Sequence, residues 1–146
     1  MKKVLIMFDS RTGKTKRMAE KIAEGIRSEG HEVQVRELFE MHGSDDLAGY
    51  DGYLCGAPTY FKDTTEAMKA FLFQAREANL QGKIGGAFGS YTHIGNGPKM
   101  IYDTMEHIFG MNMAGIHPFN VKEQILNSGK GDQPCLDYGK AIAEKL

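Results

Sequence analysis

Lys3-Val-Leu-Ile-Met-Phe8 runs directly into Asp9-Ser-Arg-Thr-Gly-Lys-Thr15, and the reading of this junction decides the fold. The first stretch is a continuous apolar run, the pattern of a strand covered on both faces. Beyond the polar turn, Met18, Ala19, Ile22, Ala23 and Ile26 recur at steps of three and four. They predict a helix from about Thr15 to Ser28 with one apolar stripe, stopped by Gly30. A buried strand, a hydroxyl-rich turn and an amphipathic helix open a strand–helix–strand crossover.

The alternation continues outward. His31 to Leu38 alternates around Val33 and Val35 and predicts a second strand. After the polar His42-Gly-Ser-Asp-Asp46, Tyr50 to Ala57 is a short third strand ending at Pro58. Thr64 or Thr65 can cap a helix striped with Met68, Phe71, Leu72 and Ala75. Lys83 to Tyr91 is a fourth strand, whose glycines allow close helix packing. Pro98 opens a helix carrying Met100, Ile101, Met105, Ile108 and Phe109. Asn112 to Val121 supplies a fifth strand, and the loop Ser128 to Asp132 leads to a closing helix with Leu136, Ile142, Ala143 and Leu146. Strands alternating with helices at this spacing predict an α/β fold, a parallel sheet with helices on both faces, as one domain over residues 1–146.

Composition excludes several classes. The 146 residues carry 18 Lys+Arg against 19 Asp+Glu, a net charge of −1, and 41% are hydrophobic. That is globular rather than disordered, and no basic excess marks a nucleic-acid partner. No apolar run approaches the ~20 residues that cross a bilayer, so no membrane partner is expected. The basic start Met1-Lys2-Lys3 precedes only Val4 to Phe8, too brief for a signal-peptide core. The expectation is a soluble cytoplasmic protein. Cys55 and Cys135 fit no zinc spacing and read as two reduced thiols.

In open parallel sheets, ligands bind beyond the carboxyl ends of the strands. The loops that matter are Asp9 to Thr15, Ala57 to Asp63 and Ser90 to Gly97. They hold no catalytic triad and no paired carboxylates. In the first, Ser10, Thr12 and Thr15 surround Gly13 immediately ahead of a helix. Unpaired amides at a helix start suit a phosphate dianion, hydroxyls add donors, and glycine lets the backbone approach closely. Gly13-Lys14-Thr15 looks like the tail of a nucleoside-triphosphatase loop, but that motif needs glycine where Phe8 stands.

Three segments together carry a resemblance: Ile6 to Ile22, Tyr53-Leu-Cys-Gly-Ala-Pro-Thr-Tyr60 and Gly86-Ala-Phe-Gly-Ser-Tyr91. They resemble the flavodoxin family, and the last two are especially similar to the flavodoxin domain of flavodiiron proteins. The resemblance implies a flavodoxin-like three-layer α/β/α sandwich, with a five-stranded parallel sheet in the order 2-1-3-4-5. It implies non-covalent FMN and a one-electron carrier between a donor and an acceptor redox protein, as a monomer or homodimer, rather than an enzyme. Carried over by position, Ser10, Thr12, Gly13, Lys14 and Thr15 would hold the phosphate, Lys14 through its amide. Pro58, Thr59, Tyr60 and Phe61 would run along one edge of the ring; Ser90, Tyr91, Thr92, His93 and Gly95 along the other. Tyr60 and either Tyr91 or His93 are the stacking candidates.

Two departures from the family pattern generate expectations. Arg11, Lys62 and His93 stand near the expected ring and phosphate, which points to a less depressed potential for the fully reduced flavin than in an acidic flavodoxin. The loop after the third strand also lacks a glycine, so a positive φ at Tyr60, Phe61 or Lys62 costs ~1 kcal/mol or more. The competing reading is an FMN-dependent NAD(P)H:quinone oxidoreductase, for which the short loop Thr92 to Gly97 leaves little room. A phosphorylated receiver domain needs an acidic pair after the first strand and an Asp ending the third; Asp9 is alone and the third strand ends Cys55-Gly-Ala-Pro58.

Overall fold

A computed structural model describes residues 1–113 and 115–146. Strands β1 (Lys3–Phe8), β2 (Glu32–Glu37), β3 (Gly52–Gly56), β4 (Ile84–Tyr91) and β5 (Phe119–Lys122) form one parallel sheet in the order β2-β1-β3-β4-β5. The helices are α1 (Lys14–Ser28), α2 (Glu66–Ala75), α3 (Gly97–Asp103), α4 (Glu123–Asn127) and α5 (Asp132–Lys145).

The alternation of side chains along β1 divides the core. Val4, Ile6 and Phe8 face α1 and α5 and pack with Met18, Ile22, Cys135 and Ile142. Leu5 and Met7 face the opposite layer with Met68, Phe71, Ile101 and Met105 from α2, α3 and the turn that follows. A strand buried on both faces therefore needs the apolar run that the sequence supplies. Thr65, of the two candidates, caps α2: its hydroxyl accepts from the Met68 amide at 3.2 Å.

α1 and α5 approach closely through glycines. A Cβ placed on Gly139 would run into the Ile22 carbonyl oxygen, and one on Gly25 into that of Leu136. Arg17 ties the same pair of helices from outside, its Nε and Nη2 donating to the two Asp132 oxygens at 2.9 and 2.6 Å.

Two expectations are corrected. The fifth strand is Phe119–Lys122 rather than Asn112 to Val121; Asn112 lies outside it, in an isolated bridge with Ile84, and residue 114 of the expected span lies outside the described residues. The apolar Met111 and Met113 are buried against the sheet without belonging to a strand. The stripe beginning at Pro98 keeps Ile101 and Met105 in the core, but Met100 is 43% and Ile108 70% exposed. After α3 the chain widens into a π turn over Thr104–Ile108, with the Phe109 amide donating to the Thr104 carbonyl at 3.2 Å. The extra residue in that turn rotates Ile108 off the buried face. α4 had no signal strong enough to predict it.

Two outcomes follow from the α1–α5 contact. Gly139→Ala should lower stability by about 2 kcal/mol in urea unfolding, because overpacking against a backbone outweighs alanine's better helix propensity. Arg17 holds the Asp132 carboxyl below its ordinary pKa, by hydrogen bond and then by charge. A depressed folded pKa contributes stability in full above the unfolded carboxylate's pKa, and that contribution is lost as pH falls through the folded value. Asp132→Asn should therefore be less stable than the parent at neutral pH, and urea midpoints should converge in acid.

Candidate functional site

Parallel pairing brings the ends of β1, β3 and β4 level, Phe8 beside Gly56 and Gly56 beside Phe88. Backbone bonds continue past the strands, from the Asp9 amide to Gly56 at 3.0 Å and from the Thr59 amide to Ser90 at 2.9 Å. The three loops singled out by sequence consequently meet along one edge of the sheet.

In the first loop, Gly13 adopts a left-handed conformation (φ 86°), which turns the chain into α1. The amides of Gly13 and Lys16 both point at the Ser10 hydroxyl, at 3.1 and 3.3 Å. Thr12 and Lys14 stand at the rim, exposed and half-buried respectively. Thr15 lies beneath the loop, buried, with its hydroxyl 3.3 Å from that of the buried Ser90. Two residues expected on opposite walls are thus joined as a floor. Arg11 donates to Asp9 at 3.3 Å, so its charge is compensated.

The second loop is a tight two-residue turn. The Tyr60 and Asp63 amides each donate to the other's carbonyl, at 2.8 and 2.9 Å, and between them Phe61 (φ 52°) and Lys62 (φ 65°) are both left-handed. This is the pattern of a type I′ hairpin, ordinarily built from Asn-Gly. Without a glycine in this loop, positive φ is costly and the sequence gives no reason to expect it. Instead, the paired bonds hold two ordinary residues in it, at a cost of about 1–2 kcal/mol each. Phe61 is fully exposed, so its side-chain packing offsets none of that. Pro58 is buried behind the turn.

The third loop is held from both sides. The Gly97 amide donates to the Thr59 hydroxyl at 3.0 Å, the Asn120 amide nitrogen to the Gly95 carbonyl at 2.7 Å, and the Thr92 hydroxyl to Glu123 at 3.3 Å. Between the second and third loops lies a cleft of about 320 Å³, lined by Thr59, Tyr60, Phe61, Lys62, Thr92, His93 and Ile94. Tyr91 is half-buried and set back; a Cβ on Gly95 would lie 3.0 Å from its ring. Sequence reasoning overlooked Ile94, Asn120 and Glu123. Asn120 lies within β5 and Glu123 just after it, and no local pattern marks either.

A larger hollow of about 510 Å³ beside β2 mixes Lys16, Lys21 and Arg27 with Glu20, Glu24 and Glu37, and takes nothing from the loops after β3 or β4. Burial pushes the Cys55 and Cys135 thiols up to about 12, which keeps them protonated and unreactive. Among the described residues no cluster of His, Cys, Asp or Glu could hold a metal, and no helix is long and apolar enough to cross a membrane.

A family model described as a flavodoxin domain matches residues 5–106. This chain belongs to the flavodoxin family. It is 36% identical to a flavodoxin from Aquifex aeolicus over 99% of this chain and 86% of that protein. Its match to a flavodoxin from Clostridium saccharobutylicum, 35% identical, spans 65% of this chain and 59% of the relative. A protein named NAD(P)H dehydrogenase (quinone) from Cupriavidus metallidurans is 30% identical over 92% of the chain and 80% of its own length. Among solved structures, a flavodoxin from the domain Archaea superposes with a TM-score of 0.85 at 31% identity, covering 98% of this chain and 97% of that one.

Membership in the flavodoxin family implies FMN as the cofactor, and the residues present fit it. The hydroxyl-rich turn at the start of α1, where the Gly13 and Lys16 amides are gathered on the Ser10 hydroxyl, suits a phosphate, and the cleft between two loops carrying Tyr60 and His93 suits a flat aromatic ring.

The strained turn yields its own test. Phe61→Gly should raise stability in urea unfolding by about 1 kcal/mol, since glycine accepts the left-handed backbone and the exposed ring loses no packing.

Proposed function

We propose that this chain is a cytoplasmic one-domain electron carrier between redox proteins, with FMN held across the three loops. The observation that carries the reading is the convergence of the Gly13 and Lys16 amides at the opening of α1, next to a cleft of the right chemistry. Bound FMN supplies reversible transfer of single electrons. The residues bind and orient. The loop amides, with the Ser10, Thr12 and Thr15 hydroxyls and the Lys14 amide, hold the phosphate, and Arg11 flanks them. Tyr60, Phe61 and Lys62, backed by Pro58 and Thr59, form one wall for the ring. Thr92 and His93, backed by Ser90, Tyr91 and Gly95, form the other, with His93 favoured over Tyr91 as the outer stacking partner because only His93 lines the cleft.

The relatives named NAD(P)H dehydrogenase (quinone) support a second reading, an FMN-dependent quinone reductase. The connection from β4 to α3 is only Thr92 to Asn96, which favours the carrier. Steady NAD(P)H oxidation with a quinone acceptor would establish the enzyme instead.

The purified chain should take up one equivalent of FMN and quench its fluorescence. Riboflavin, which lacks the phosphate, should bind about a hundredfold more weakly. Gly13→Ala should weaken FMN about tenfold, because alanine resists the left-handed turn. A colourless protein that leaves added FMN fluorescent would end this reading.

A further inference from the structure

β2 is an outer strand of the sheet, so one of its edges has no neighbouring strand. The Glu32 amide donates to the Lys2 carbonyl at 2.9 Å, which turns the backbone groups of Glu32, Gln34 and Arg36 toward β1. Those of Val33, Val35 and Glu37 face outward, because successive residues of a strand alternate. The chain's own charged side chains take two of these outward groups. Arg27 reaches over from α1 and donates to the Val33 carbonyl at 2.9 Å, and the Glu37 amide donates to the Glu40 carboxylate at 3.0 Å. Val35 lies between them and lines the hollow beside β2 together with Arg27, Glu37 and Glu40. An open edge is a template for another strand, and charged residues placed on it are a common means of closing it.

The strand that fits this edge is β2 itself. Glu32, Gln34 and Arg36 are exposed, and among the described residues neither Glu32 nor Arg36 forms an ion pair. Two copies of β2 laid antiparallel about a two-fold axis at Gln34 put Glu32 opposite Arg36 in both directions, and Val33 opposite Val35. The phase agrees. Val33 and Val35 both turn their backbone groups outward and so can exchange bonds, while Glu32 and Arg36 fall at the unbonded positions where facing side chains come closest. Moving the axis to Val33 or to Val35 sets both charges opposite uncharged residues.

We propose that the β2 edge is a self-complementary docking surface for a second copy of this chain, held shut by Arg27. The guanidinium sits on the Val33 carbonyl, where the Val35 amide of a second copy would donate. By symmetry the same bond is blocked on both copies, and the chain stays a monomer. Removing Arg27 frees the carbonyl and leaves the matched charges to set one register. None of this depends on the cofactor, because neither Arg27 nor β2 belongs to the three loops at the ring cleft.

The test is sedimentation equilibrium of the full chain. The parent should run as a monomer up to about 1 mM, and Arg27→Ala should dimerise at least about tenfold more tightly than the parent. Charge reversal then reads the register. Adding Arg36→Glu to Arg27→Ala sets two carboxylates face to face and should return the protein to monomer. Adding Glu32→Arg as well restores opposite charges with the order exchanged and should bring the dimer back. This rescue separates specific pairing from association of a misfolded variant, which a second charge change has no reason to reverse twice. A parent that is already dimeric, or an Arg27→Ala variant that stays monomeric at the same concentration, overturns the guard. Association of Arg27→Ala that Arg36→Glu leaves unchanged overturns the docking edge.

Discussion

Everything at the ligand edge depends on β1, β3 and β4 running parallel and in register. Parallel pairing forces each connection to cross the sheet and return, so all three strands stop at the same edge. Phe8, Gly56 and Phe88 occupy one row across the sheet, and the backbone bonds from Asp9 to Gly56 and from Thr59 to Ser90 extend that row into the loops. Residues separated by tens of positions thereby become neighbours. The buried Thr15–Ser90 contact, 75 residues apart, is a direct product of this register.

The site divides into parts of different physical character. The first loop gathers backbone donors around one left-handed glycine and the Ser10 hydroxyl at the start of α1, a chemistry that suits an anion. The ring cleft has walls made of short loops, each tied down by side chains from elsewhere. The Tyr60–Asp63 bonds sustain two residues in a conformation they resist. Asn120 and Glu123 fix the facing loop. Strain of this kind persists only where surrounding contacts over-determine the backbone, which is common at ligand sites.

The local signals of the sequence were sound wherever one element supplied both the pattern and its partner. The apolar run Lys3 to Phe8, the α1 stripe and the turn chemistry around Gly13 lie within one stretch of chain, and each is found close to the limits expected for it. The expectation failed where a distant contact overrode a local pattern. Met113, inside the span expected for the fifth strand, fills the core beneath the sheet without joining a strand, and Ile108 follows the helical period until a π turn rotates it outward. Phe61 and Lys62 violate their own backbone preference because the bonds that hold them come from the turn as a whole.

The sequence alone determined the alternation of strands and helices, the hydroxyl-and-glycine turn, and the aromatic loops, because periodicity and turn chemistry are properties of neighbouring residues. Only the tertiary structure decided which side chains close the site. β5 brings Asn120 to the Gly95 carbonyl and sets Glu123 beside Thr92, contacts that span 25 and 31 residues. The physical reason is that charge compensation and side-chain latching depend on distances in space, which parallel register sets and no local spacing encodes.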